Sequence, residues 1–249
     1  MHRIRAWYDG HAQSFAQTEV VELPFIGLDP AAQKRLNDFK LRALTQVDFT
    51  NKDVLDFGAG HGRLAFAFPL MRSYTGADYS ENLVKLGSSR LRQAGYDRWA
   101  QLKHGDCYTF PAPESAFDIV CSLGMFCYLP DPQSMLNKMA RHLRPGGVLF
   151  VDFRSSSPLY DPVRKLKWKI RQPTGGKTGM WTCRRMVTML EQAGLSAPRL
   201  VMREYPFLGD LHARRGWAWP QSLRDAVAER RAFDMFATEG WAFASKPLR

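Results

Sequence analysis

The sequence predicts a doubly wound α/β fold on a mostly parallel sheet. Three observations carry that expectation. Apolar segments of strand length alternate with helical segments from about residue 54 to 153, which implies right-handed crossovers between parallel strands. The first strand runs straight into a turn with glycines at 58, 60 and 62. Polar residues, Asp56, Asp78, Asp106 and Ser122, close the first four strands at their carboxyl ends, where ligands bind in such sheets.

Gln33 to Val47 has a helical apolar period and should lead into the first strand, Val54 to Phe57. A helix is expected from about Gly62 to Met71, then a short strand, Tyr74 to Ala77, closed by Asp78. Ser80 suits an N-cap; Leu83, Leu86, Leu91 and Ala94 share one face, and Gly95 stops the helix. Ala100 to His104 reads as strand three. Phe117 to Cys121 is nearly all apolar, as a strand covered on both faces should be. Asp131 as N-cap with Pro132 behind it opens a helix to Leu143, and Pro145-Gly146-Gly147 punctuates it before strand five, Val148 to Phe153. After a break rich in proline and glycine, Thr182 caps a helix to Gly194; Leu200 to Tyr205 and Ala242 to Lys246 are the last strands.

The 249 residues are read as one domain: an N-terminal helical lid over 1–50, a cofactor-binding core over 51–153, a basic insertion over 154–181 and a second lid insertion over 206–241. The charge of +11 is localised. Nine basic residues against Asp161 alone put a net +8 between Arg154 and Arg185. No apolar run approaches the roughly 20 residues of a membrane span. Basic residues at the N-terminus lack an apolar stretch behind them, so a cytoplasmic protein with no membrane partner is expected. Cys107, Cys121, Cys127 and Cys183 have no metal-ligand spacing and read as buried thiols.

The glycine turn separates two kinds of cofactor. A dinucleotide site wants G-x-G-x-x-G/A, but here the last position is Arg63 and the third glycine comes early. Asp56, two residues before the first glycine, would repel a pyrophosphate and suits a cation. Asp56-Phe57-Gly58-Ala59-Gly60-His61-Gly62 resembles the first signature of class I S-adenosylmethionine (SAM)-dependent methyltransferases. His104-Gly105-Asp106-Cys107, Phe117 to Ser122, and Leu143-Arg144-Pro145-Gly146-Gly147 resemble the later ones.

The resemblance implies a seven-stranded Rossmann-like methyltransferase sheet with its last strand antiparallel, SAM as cofactor and S-adenosylhomocysteine as product. It places Asp56, Gly58, Ala59 and Gly60 at the cofactor, Asp78 on the ribose hydroxyls, Tyr79 against adenine, Asp106 on the adenine amino group, the Cys107 amide on the ring and Ser122 at the end of the site. Tyr8 resembles an aromatic that some members fold over the cofactor; a surface tyrosine is the alternative. Arg63 and His142 read as exposed helix residues.

The substrate expected is a small-molecule or glycan-type, anionic acceptor, methylated at oxygen. The apolar Leu123, Met125 and Phe126 suit a dry pocket, and an O-acceptor calls for a base, for which His212 is the candidate, with His11 the other histidine of the lids. The alternative is an RNA-directed methyltransferase using the basic 154–185 segment, with Trp168 as a stacking platform. Against it, Ser122-Leu123-Gly124-Met125-Phe126 lacks the [DNS]-P-P-[YFW] pattern used for exocyclic amines.

Overall fold

The computed structural model describes residues 2–12, 15, 44–156, 179–203 and 239–248. The strands are β1 (Asp53–Phe57), β2 (Ser73–Asp78), β3 (Ala100–His104), β4 (Phe117–Ser122), β5 (Leu143–Arg154), β6 (Ser196–Arg203) and β7 (Glu239–Ser245). The helices are α1 (His2–Gly10), α2 (Arg63–Ala67), α3 (Glu81–Gln93), α4 (Pro132–His142) and α5 (Cys183–Gln192). One seven-stranded sheet has the order β3-β2-β1-β4-β5-β7-β6. Its neighbours from β3 through β5 are parallel, and β7 runs antiparallel to both β5 and β6.

The apolar residues of each strand divide between two cores. Leu55 and Phe57 of β1 and Leu149 and Val151 of β5 face Met135, Leu136 and Met139 of α4 and Met186, Met189 and Leu190 of α5. Val54 and Phe150 face the other way, onto Leu64 and Ala65 of α2 and Val84 and Leu91 of α3. Period-two alternation thus produces a sheet covered on both faces. The caps form as the sequence requires: Ser80 Oγ accepts from Leu83 N, Asp131 Oδ1 from Ser134 N and Thr182 Oγ1 from Arg185 N.

Some boundaries differ from the sequence expectation. The helix expected to reach Met71 ends at Ala67. Phe68 precedes Pro69, whose ring disfavours helical geometry in the residue before it, and its backbone sits at φ −134°, ψ 72°. Strand five begins at Leu143, which pairs with Phe117 before a register shift, so Pro145-Gly146-Gly147 lies inside β5. Strands six and seven start earlier than expected, at Ser196 and Glu239. Most of the Gln33–Val47 helix, the basic insertion and the second lid insertion, His212 included, lie outside the described residues.

The amino ends of the central strands are joined by an ion cluster. Arg72 Nη2 lies 2.5 Å from Asp53 and 3.0 Å from Asp118, and Arg144 Nη1 lies 2.8 and 3.0 Å from the same pair. Beside it, a cavity of about 530 Å³ is lined by Lys52, Gly147, Val148, Arg199 and Phe243. Both features occupy the opposite end of the sheet from Asp56, Asp78 and Asp106. Among the described residues no helix is long and apolar enough to cross a membrane, and no group of three His, Cys, Asp or Glu could hold a metal ion.

Candidate active site at the carboxyl ends of the strands

The turn after β1 takes left-handed backbone at Gly58, Gly60 and Gly62, with φ of +77°, +57° and +79°. Glycine is needed at 58 twice over. The positive φ strains any other residue, and a Cβ there would stand 2.6 Å from Cβ of Met125, just past β4. Gly58 N and Ala59 N donate to Ala77 O at 2.8 and 3.1 Å, tying the turn to β2.

Three carboxylates close or follow β1, β2 and β3 at this end of the sheet. Asp78 Oδ2 accepts from Gly60 N at 2.7 Å and Oδ1 from Ser80 N at 2.8 Å. Burial pushes its pKa up, against those two backbone bonds. Asp56 is 3% exposed; Tyr74 Oη donates to its Oδ2 at 2.9 Å, and the Cys121 thiol lies at the carboxyl. Burial raises its pKa to about 6, opposed by the Tyr74 bond and by Arg63. Asp106 closes its own loop, Oδ1 accepting from Tyr108 N at 2.8 Å. The Cys107 amide has no acceptor in another described residue. Its thiol is buried, with a pKa pushed by burial to about 12, and is inert.

Arg63 corrects the sequence reading. It is half-buried rather than exposed, and desolvation lowers its pKa. It lies within electrostatic reach of Asp56, Asp152, Tyr74 and Tyr8, yet makes no hydrogen bond or ion pair with any described residue. It is the first residue of α2, directly after the left-handed Gly62, and so stands close to the carboxyl end of β1 rather than out on an exposed turn of the helix. His142 is likewise 5% exposed rather than on the surface, its Nδ1 3.1 Å from Pro113 O. His61 and His142 both resist protonation through burial: His61, 2% exposed, falls to about 4, and His142 is also lowered.

The N-terminal helix lies over the site. Asp9 Oδ1 accepts from Ser80 Oγ at 2.5 Å, and Asn82 Nδ2 donates to Asp9 O at 3.3 Å. The Arg5 guanidinium stands 5.2 Å from the Tyr79 ring centre, whose other neighbour is His104 at 6.4 Å. Tyr8 turns inward rather than to the surface. Burial raises its pKa well above the ordinary value, helped by Tyr128, to which it hydrogen-bonds, and by Asp78. His11 stays on α1's own side, stacked on Trp7 at 4.3 Å.

Beyond β4, Ser122 is fully buried and its Oγ has no partner among the described residues. Leu123 and Phe126 are buried, and Trp181 stands 5.2 Å from Phe126. The Arg154 guanidinium lies 5.8 Å from the Tyr128 ring centre. Sequence reasoning missed Tyr128, which sits in a 3₁₀ turn with no periodic signal. It also missed Asp9, the neighbour of Tyr8, whose contact with Ser80 has no signal in the spacing. The structure thus brings Asp56, Gly58, Ala59, Gly60, Asp78, Asp106 and Ser122 to one end of the sheet, with Tyr79 and Tyr8 at its edge.

Asp56 makes the site pH-sensitive. Its folded pKa of about 6 exceeds the ordinary 3.8, so its contribution to stability is fully present below the lower value. That contribution is lost as pH rises through the higher one. At neutral pH the buried carboxylate, held by Tyr74 and Cys121 and attracted by Arg63, costs the fold stability. On the resemblance's placing of Asp56 at the cofactor, affinity for SAM, measured calorimetrically, is expected to fall as pH drops below about 6. Asp56→Asn is expected to flatten that dependence and raise the thermal midpoint above pH 6. An unchanged profile in the variant would assign the titration elsewhere.

Residues 55–151 match the family profile described as a methyltransferase domain. The phthiotriol/phenolphthiotriol dimycocerosates methyltransferase of Mycobacterium tuberculosis is 30% identical over 174 residues, 62% of each chain. The ubiquinone biosynthesis O-methyltransferase of Thiobacillus denitrificans is 32% identical over 117 residues, 46% of this chain and 50% of that protein. The geranyl diphosphate C-methyltransferase of Streptomyces coelicolor, solved with S-adenosyl-L-homocysteine, superposes with a TM-score of 0.66 at 16% identity. That superposition covers 96% of this chain and 98% of that one, and it speaks for the fold. The chain spans about 62% of the length of the first relative. Residues 55–151 thus carry a methyltransferase domain, and the whole described sheet has the fold of the class I SAM-dependent methyltransferases.

Proposed function

We propose that the protein transfers a methyl group from SAM to a small anionic acceptor, at oxygen. The donor set suits the cofactor: Asp78 for the ribose diol, Asp106 and the Cys107 amide for adenine, Asp56 for the amino group and Arg63 for the carboxylate. A zwitterionic amino acid end needs one negative and one positive partner, and Asp56 and Arg63 are that pair. Bound SAM supplies a methyl already activated by its sulfonium, so the chain's task is to orient the acceptor and exclude water.

The observation that carries the acceptor reading is the cluster beyond β4. Phe126, with Trp181 packed 5.2 Å from it, shares its 3₁₀ turn with Tyr128, whose hydroxyl meets that of Tyr8 and whose ring centre lies 5.8 Å from the Arg154 guanidinium. Apolar lining with a few convergent polar groups fits a small molecule, and a guanidinium beside two hydroxyls fits an acid group or a sugar acid. Burial keeps both phenols protonated at neutral pH, so they donate hydrogen bonds and do not serve as bases. The base for an O-acceptor is then His212, in the second lid. The O-methyltransferase among the relatives supports oxygen as the acceptor atom.

The test is methyl transfer from labelled SAM to a panel of hydroxylated carboxylates and sugar acids, with RNA as the competing substrate. Label is expected on a small acid, with rates nearly flat between about 50 and 200 mM salt; label on RNA with a steep salt dependence would favour the basic segment instead. His212→Ala is expected to abolish turnover while leaving SAM affinity intact. Unchanged turnover would remove its role.

A further inference from the structure

Lys138 sits on the inward face of α4, 8% exposed, beside Met135, Leu136 and Met139. An ammonium in such a place is costly unless it is given acceptors. Here both acceptors are main-chain carbonyls of one loop: Tyr108 O at 3.0 Å and Phe110 O at 2.7 Å. The Phe57 ring centre lies 5.7 Å away, and no carboxylate of a described residue lies within ion-pair distance. Burial lowers the lysine's pKa, while Cys107 and Asp106 act against that.

The loop so held is the one that carries Asp106. A second tie joins it to the same helix: Tyr108 Oη donates to Asp131 O at 2.9 Å and accepts from Asp131 N at 3.0 Å. Inside the loop, Asp106 O accepts from Thr109 N and Phe110 N, and Oδ1 from Tyr108 N. Asp106 Oδ2 and the Cys107 amide are left as a neighbouring acceptor and donor with no protein partner among the described residues. Their relative position is set from α4, because Lys138 and Tyr108 grip the segment just after them. An apolar residue at 138 would be cheaper to bury, so what the lysine holds explains its presence.

We propose that Lys138 is a positioning residue that sets which purine the cofactor site accepts, by fixing the Asp106 carboxylate and the Cys107 amide as an acceptor–donor pair. Such a pair matches a 6-aminopurine edge, which offers a donor and then an acceptor. Hypoxanthine presents the reverse order, leaving both protein groups mispaired. The inference rests on the reading of Asp106 as the adenine contact. Lys138 itself touches no ligand.

The experiment compares calorimetric affinities for S-adenosylhomocysteine and S-inosylhomocysteine in wild type, Lys138→Met and Tyr108→Phe. Wild type is expected to prefer the adenine compound by about a hundredfold or more. Lys138→Met is expected to shrink that preference by about tenfold, through weaker binding of the adenine compound. KM for SAM should rise while kcat at saturating SAM stays near wild type. A structural role alone would weaken both compounds equally; an unchanged ratio overturns the proposal. Absence of discrimination in wild type would instead sink the Asp106 reading beneath it. Tyr108→Phe breaks the other tie without changing a buried charge and should lower the ratio in the same direction. Should Lys138→Met fail to fold, an unchanged ratio in Tyr108→Phe refutes the positioning by α4.

Discussion

Arg63→Gln is expected to raise the dissociation constant for SAM about a hundredfold without lowering the thermal midpoint. The guanidinium is half-buried, its pKa is lowered by desolvation, and it has no hydrogen bond or ion pair among the described residues. In the empty protein, then, it costs desolvation and gains only distant attraction to Asp56 and Asp152. Its return comes with an anion. Truncating one partner of a buried, hydrogen-bonded charge pair costs on the order of 2–5 kcal/mol, which spans the expected factor. Decarboxylated SAM separates the role from a general one: it should bind wild type as weakly as intact SAM binds the variant, and lose nothing further in the variant. Equal losses for both compounds, or a large fall in thermal midpoint, would make Arg63 a structural residue.

Asp78→Asn is expected to weaken S-adenosylhomocysteine by about two orders of magnitude and to lower stability as well. Each carboxylate oxygen already accepts a backbone amide, Gly60 N at 2.7 Å and Ser80 N at 2.8 Å. A side-chain amide can satisfy only one of them and points its NH₂ at the other. Leaving a buried donor unpaired costs about 1–3 kcal/mol, and the glycine turn loses one of its ties to β2. The diol contact is lost in addition, since the two oxygens' remaining lone pairs are what a vicinal diol would use. In wild type the 2′-deoxy analogue should bind more weakly than the parent; in the variant the two should bind alike. A preserved difference would show that the ribose is held elsewhere.

Much of the core was legible because local chemistry and tertiary demand agree there. Val54, Leu55 and Phe57 are apolar because both faces of β1 are covered, and the residue that follows is glycine because Met125 packs against it. Ser80, Asp131 and Thr182 were readable as caps for the same reason, since their side chains satisfy the first turns of α3, α4 and α5. What was not legible depends on where a chain turns. Arg63 follows a glycine and opens a helix, which by pattern looks solvent-facing. The left-handed Gly62 before it sets where α2 starts, and so brings Arg63 within reach of Asp56 and Asp152. His142 ends a helix between two arginines, yet the packing of α4 on Phe57 buries it. The Tyr8–Tyr128 contact joins residues 120 positions apart, and no spacing rule reaches that far. Lys138 did leave a signal, a charge on the apolar stripe of Met135 and Met139, readable as a buried cation awaiting acceptors.

The most direct measurement is isothermal titration of the whole protein with S-adenosylmethionine, S-adenosylhomocysteine and NAD at pH 7.5. A crevice that pairs Asp56 and Arg63 with a zwitterion, and Asp78 with a ribose, should give saturable heat with the first two and none with the dinucleotide. Heat with NAD, or silence with both sulfur compounds, would contradict the assignment of this site.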